Sequence, residues 1–509
     1  MDPLAKGGTV ALGIPVTPPV GTAGPAPRDR AGWVLRHAPA IILVYLGLHF
    51  VLRTLIPGGM SWDEAEQLVV TQDLALGYGQ QPPLYNWIQW AVFAVTGPGM
   101  VGMALVKHLA LAAIYLGLWA LARQLGASRQ VAAVALFGGL LMPTLYWECH
   151  RDLTHLVLVT AVAIWTPVAV IAALRAPGPA AFALVGAVFA AGCLAKWNYP
   201  ILIAGLAAAL AGDRRARTRL WGVSLAVTVA LIALPTAWMA RNWALTVADR
   251  GSFEIERGPL LPLMGRSAAA VVEAYALETA LVVLVMLAVF RLGARRAAAD
   301  TAAVTADRRL VERTMLFSFL LTLVLTVAAG ATEVINRWLL PLTIFAPAVL
   351  ALRLAPWMTA PRRTGFVALS AGLMLLMLVF YPMHLVNGGD NPSTQSAPFA
   401  AVPGTIGIGA GDMVYASDVL IGGNLRLAEP GLAVVTPKTP TVDSGQAPDV
   451  VVWWGRDRPD APAPADLRAL LAAKGYGDLE LAAPRTMALP YPAPHADRRL
   501  NLFWVEVPG

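Results

Sequence analysis

Apolar stretches recur through most of this chain, at roughly 37–56, 99–122, 130–147, 153–174, 180–195, 220–240, 269–291, 314–331, 336–355 and 364–385, with a shorter one at 199–212. Nothing in the sequence constrains the fold more. A helix needs about twenty apolar residues to cross ~30 Å of hydrocarbon, where each backbone polar group must be bonded within its own segment. The repeated pattern predicts an all-α polytopic membrane protein with about eleven transmembrane helices. Composition agrees: 57% of residues are apolar and only 14% are charged, against about a quarter charged in soluble proteins.

Charge sets the expected topology. Basic residues gather between alternate apolar runs, at Arg123/Arg129, Arg175, Arg214/Arg215/Arg217/Arg219, Arg291 to Arg313, and Arg353/Arg362/Arg363. With the N-terminus inside, about twenty basic residues fall on the inner face and about eight on the outer, as the positive-inside rule requires. The net charge of +7 is therefore a topology signal, and no nucleic-acid partner is expected. The first apolar run lacks a small-residue cleavage site and reads as an uncleaved anchor. Cys149 and Cys193 are too few for a disulfide framework, and a single bridge between them stays open.

Three regions follow. Residues 1–33, rich in Gly, Pro and Ala, are expected to form a disordered cytoplasmic tail. Residues 34–385 form the membrane domain, with a long outer loop at 57–98. Residues 386–509 break into short alternating apolar runs (412–416, 431–435, 450–454) and a helical pattern at 466–473, which predicts a small C-terminal α/β domain outside the membrane.

The chemistry concentrates on the outer face. Asp63, Glu64 and Glu66 stand directly after the first span, where carboxylates must meet water or line a wet cavity. A carboxylate at an apolar boundary has raised proton affinity and can act as a base on a hydroxyl; Ser61 with Glu64 also fits a helix capping box. Gly77-Tyr78-Gly79-Gln80-Gln81-Pro82-Pro83-Leu84-Tyr85-Asn86-Trp87 follows. Its prolines impose an extended approach, and its aromatic residues suit either a substrate contact or an interfacial belt. Glu148-Cys149-His150-Arg151-Asp152, with His155, is a charged patch between two spans; Arg151 has carboxylates beside it to pair with. Cys149, His150 and His155 match no standard zinc spacing, and no metal site is assigned. Lys196, Arg241 and Arg337 each end an apolar run on the same face. Together they suit a phosphate, and singly they suit snorkelling.

Taken in order, Asp63-Glu64, the Pro82-Pro83-Leu84-Tyr85 run, Arg151-Asp152, Leu194-Ala195-Lys196 and Asn336-Arg337-Trp338-Leu339-Leu340-Pro341 resemble the GT-C lipid-linked sugar transferases. The likeness is to glycosyltransferase family 39 and the aminoarabinose-transferase group, over roughly residues 36–390. The fuller Asp-Glu-Ala-Glu-Gln block also resembles lipopolysaccharide galacturonosyltransferases. The resemblance implies a GT-C fold and transfer of a sugar from a polyprenyl-phosphate donor to a hydroxyl of a lipid A, core-oligosaccharide, other glycan or protein acceptor. It implies the periplasmic face of a bacterial inner membrane, with inversion at the sugar carbon. Asp63, with Glu64 beside it, becomes the base, and Asp152 the second acid. Lys196 and Arg337 become donor-phosphate contacts. Beside that carry-over, Arg241 and Arg151 are candidate phosphate contacts, and Tyr78, Gln81, Tyr85, Trp87, His150 and Glu333 candidate substrate contacts, from their places on the outer face. No cofactor is assigned, and use of a divalent cation stays open, since members of the superfamily differ in this. Two positions depart from the family pattern: Gln81 and Glu66 stand where relatives often carry Lys and Arg. A transporter would place its charges near mid-membrane within repeated halves, a pattern not visible here. A non-catalytic envelope-binding protein would tolerate loss of Asp63.

Overall fold

A computed structural model describes residues 30–56, 58–246, 255–290, 302–389, 391–439, 446–456, 458–481 and 483–507. Of the expected tail, residues 1–29 lie outside these, as do Arg295 and Arg296. A short helix already begins at Arg30 (Arg30–Arg36) and buries Leu35.

All eleven expected apolar stretches fall on helices, but they are unequal. Among the described residues seven helices are long and apolar enough to cross a membrane, from Ala38–Leu55 to Ala360–Asn387, or nine if two bent pairs each count as one span. The short helices Pro179–Ala195 and Tyr199–Leu210 fall below that length, so eleven full spans do not emerge.

The bent pairs matter because of where they deliver the chain. Arg129–Leu141 and Thr144–Arg151 meet at 77°. Met142 and Pro143 separate them, and Thr144–Glu148 then forms a wide π turn; proline and π turns are ordinary causes of such kinks. Asp152 sits at the end of the second half. Asn336–Thr343 and Ala346–Trp357 meet at 53°, with Pro341 and Pro347 opening their helical segments. Arg337 lies in the first turn of that pair.

Loops expected on one side do come together. Asp307 accepts from Arg175 at 2.5 Å and from Arg215 at 2.7 Å, joining three of the segments expected on the inner face.

The loop at 57–98 is largely ordered as two helices, Trp62–Val70 and Leu84–Thr96. The first is an acidic helix, started by a capping box in which the Glu64 carboxylate reaches back to the Ser61 N–H.

The C-terminal region folds around a five-stranded mixed sheet: β1 (Met413–Ala416), β2 (Ala433–Val435), β3 (Val450–Arg456), β4 (Arg485–Pro490) and β5 (Arg499–Glu506). Its order is β2-β1-β3-β5-β4. The β2-β1-β3 half is parallel and the β3-β5-β4 half antiparallel. Helix Val419–Ala428 links β1 to β2 and lies directly on the acidic helix.

That contact is specific. Asn424 Oδ1 accepts the Met60 N–H at 2.7 Å while its Nδ2 donates to the Met60 carbonyl at 3.1 Å. Gln72 accepts the Val434 N–H at 2.9 Å and donates to its carbonyl at 2.8 Å. Arg426 donates to the Leu68 carbonyl. Gly423 has no side chain because one would run into the Ala65 backbone. Gly423→Val is therefore expected to destabilise the docked state by about 1–3 kcal/mol through overpacking. Thermal unfolding in detergent measures this; an unchanged midpoint would remove the close approach from the account.

Candidate active site

Two neighbouring carboxylates on the acidic helix meet opposite fates. Glu64 is 2% exposed and saturated with cations: Lys107 Nζ at 2.5 Å on one oxygen and Arg53 Nη2 at 3.0 Å on the other. Those two charges hold its carboxyl well below the usual range, at about 2, against the opposing pull of burial. Asp63 is half-buried, and its N–H donates to Asp152 Oδ1 at 3.2 Å. Burial, reinforced by the Asp152 charge, raises its carboxyl to about 6, while Lys196, Arg337 and Lys107 act against that rise. One carboxylate is locked and ionised. The other is poised to exchange a proton near neutral pH.

Lys107 also donates to the Asp152 carbonyl at 3.1 Å, tying the two acidic segments together. Arg53 and Lys107 were not singled out from the sequence. The signal was available, because an ionisable residue inside an apolar span is functional by default.

Lys196 stands on a turn that bridges three segments. Gly192 leaves room for the Tyr199 ring to fold back against it, so the chain reverses sharply between two helices. From that turn Trp197 Nε1 donates to the Gln80 carbonyl at 2.7 Å, Asn198 Nδ2 donates to the Trp338 carbonyl at 2.6 Å, and Lys196 Nζ lies 3.4 Å from Gln81 Oε1. Burial pulls the Lys196 ammonium below its usual range, Asp63 and Glu66 oppose that shift, and Arg337 adds to it. Lys196 and Arg337 thus share one electrostatic environment with Asp63.

Beside this turn opens a mainly apolar cavity of about 510 Å³. Lys196 and Gln81 form its polar edge, and Trp197, Trp243, Trp338 and Leu325 are among its walls. Lys196 both lines the cavity and acts electrostatically on Asp63, which with Asp152 forms the acidic pair of the site.

Other expected site residues are structural in their contacts. Arg151 pairs with Glu148 at 2.8 Å. The Tyr78 hydroxyl accepts the Ala75 N–H and donates to the Asp73 carbonyl, and Trp87 Nε1 donates to the Ala75 carbonyl at 2.7 Å, so both brace the loop. Tyr85 is fully buried against His155. Asn86 Nδ2 donates to Gln67 Oε1 at 3.0 Å, and Gln67 Nε2 lies 3.5 Å from His155 Nε2. This polar chain, which the sequence reading did not single out, joins the acidic helix to the Pro-Pro-Leu-Tyr helix. Arg241 and Glu333 are exposed, without a hydrogen bond or ion pair to the acidic pair among the described residues. His150 is buried, and Cys149 and Cys193 are free thiols. His150 groups with His49 and His108, while His155 meets Gln67 and Tyr85.

Comparison with known proteins places this geometry in context. A family described as dolichyl-phosphate-mannose-protein mannosyltransferase matches residues 80–239. The chain is 30% identical to lipopolysaccharide core galacturonosyltransferase RgtB of Rhizobium johnstonii, over 95% of its own length and 99% of the relative's. It is 29% identical to RgtA of the same organism, over 91% and 95%. Its fold resembles ArnT from Cupriavidus metallidurans, solved bound to undecaprenyl phosphate, with TM-score 0.56 and 13% identity over 93% of this chain and 98% of that one.

Proposed function

This chain belongs to the GT-C membrane glycosyltransferases, in the family of the lipopolysaccharide core galacturonosyltransferases, and from that premise we propose what it transfers and how. The donor is a polyprenyl-phosphate sugar, the sugar is galacturonic acid, and the acceptor is a hydroxyl of the lipopolysaccharide core. The names of the two relatives support the sugar and the acceptor. The arginine-rich connections, read by the positive-inside rule, support an inner-membrane protein whose acidic pair faces the periplasm.

One observation carries the mechanism: Lys196 joins the apolar cavity to the acidic pair. The lipid end of the donor occupies the cavity, and its phosphate rests on Lys196 and Arg337. Asp63 takes the proton of the acceptor hydroxyl as that oxygen bonds to the anomeric carbon. The carbon–oxygen bond to the lipid phosphate breaks, and both cations stabilise the departing charge. A single displacement inverts the anomeric carbon. Glu64, held on two cations, positions Asp63 and takes no part in proton transfer.

Purified protein in detergent, given polyprenyl-phosphate galacturonate and lipopolysaccharide lacking core galacturonate, is expected to form the galacturonylated core. Absence of product with every polyprenyl donor would overturn the reading. Lys196→Met removes one charge-assisted contact, worth about 1.5–3 kcal/mol, and is expected to raise donor KM about 10- to 150-fold. An unchanged KM would take Lys196 off the phosphate.

The pH profile gives a second check. Asp63 works as the carboxylate, so kcat/KM should fall as pH drops through about 6. Asp152 raises that value by like-charge repulsion, so Asp152→Asn should move the acid limb to lower pH. A limb that stays in place, or moves up, separates the two carboxyls.

A further inference from the structure

Beneath the acidic pair, histidines from three separate segments converge. His49 precedes Arg53 by one turn on Ala38–Leu55, His108 follows Lys107 on Met100–Gln124, and His150 lies two residues before Asp152. Their exposures are 0%, 7% and 2%. One ring nitrogen of each lies within 4.8 Å of the other two, and His49 Nδ1 is 3.2 Å from His108 Nε2. Zinc held at about 2.0–2.1 Å by tetrahedral nitrogens needs them about 3.3 Å apart. One edge of such a site is therefore set.

Two further observations point to a ligand. His108 Nδ1 lies 2.7 Å from the Ala104 carbonyl; donating there fixes the tautomer and turns the Nε2 lone pair toward His49, the outer-shell support usual for a metal-bound imidazole. His49 Nε2 and both nitrogens of His150 are buried with no hydrogen-bond partner among the described residues, which native interiors rarely allow. A chain of three neutral imidazoles leaves those nitrogens unsatisfied.

We propose that His49, His108 and His150 bind one zinc ion, or a similar borderline transition ion, as a clamp beneath the active site. Three imidazoles suit zinc, copper or nickel and not magnesium or calcium, which take oxygen ligands. Water or the Tyr45 hydroxyl completes the set; that hydroxyl is buried without a partner, and its ring centre is 6.2 Å from that of His49 and 6.1 Å from that of His150. The nearby cations Arg53 and Lys107 are both held on Glu64, which limits their repulsion of the ion. The clamp joins the segments that carry Arg53, Lys107 and Asp152, and so fixes the floor under Asp63. This inference stands apart from the transfer reading.

Full-length protein purified from zinc-supplemented cells is expected to carry about one zinc per chain by mass spectrometry of the metal. Replacement by cobalt should give the visible absorption of a tetrahedral nitrogen site. His49→Gln and His150→Gln should lose the ion. Phenanthroline should lower the unfolding midpoint of the parent protein and leave monodisperse variants unmoved. Parent protein that holds no metal above buffer after zinc reconstitution overturns the proposal, whether or not the variants fold. Zinc retained in full by both variants overturns it equally.

Discussion

Asp63→Asn is expected to lower kcat by about 10²- to 10⁴-fold, the usual share of a positioned general base, while donor KM and the unfolding midpoint stay near those of the parent. Asn matches Asp in shape and leaves the backbone N–H donation to Asp152 in place. It also removes a charge that burial and Asp152 disfavour and that Lys196, Arg337 and Lys107 favour, so the opposing effects leave the midpoint near the parent's. What disappears is the basic carboxylate that the proposed mechanism uses to take the acceptor's proton. Single-turnover transfer with purified protein, paired with a thermal melt, separates these effects. A folded Asp63→Asn protein that transfers at the parent rate would show that the base lies elsewhere.

Its neighbour should behave in the opposite way. Glu64→Gln leaves Arg53 and Lys107 facing each other as buried cations, and breaking a buried ion pair from one side costs about 3–5 kcal/mol. Glu64→Gln should therefore lower the unfolding midpoint strongly and lose activity only because Asp63 is displaced. Adding Lys107→Met to Glu64→Gln removes one of the stranded charges, and the double variant is expected to be more stable than Glu64→Gln alone. Simple addition of the two losses in a double-mutant cycle would mean that the pair is not coupled. Adjacent carboxylates thus yield one stable inactive protein and one unstable protein.

The sequence revealed the helices and the acidic, proline and cationic blocks because each is local: periodicity and charge alternation act within twenty residues. It did not reveal that Glu64 is saturated, because its partner Lys107 lies 43 residues away inside a run whose mean hydropathy hides a single lysine. For Arg151 the sequence left two readings open, a donor phosphate and a neighbouring carboxylate, and the structure pairs it with Glu148 three residues away. The bends that carry Asp152 and Arg337 inward are written in Pro143, Pro341 and Pro347, yet a proline alone does not give an angle. In the C-terminal region the runs at 412–416, 431–435 and 450–454 became β1, β2 and most of β3. No element was expected over Val419–Ala428, where two adjacent glycines lower helix propensity. Gly423 is there for close approach to Ala65, a requirement set by a segment more than three hundred residues upstream.

That separation has a consequence for biosynthesis. The acidic helix leaves the ribosome early, but Asn424, which grips Met60 from 364 positions downstream, emerges only after all the candidate membrane spans among the described residues have been made. Until then the acidic helix and its flanks lack the contacts that Asn424 and Arg426 make to them and that Gln72 makes to Val434, so this part of the fold closes only after the C-terminal region has been synthesised.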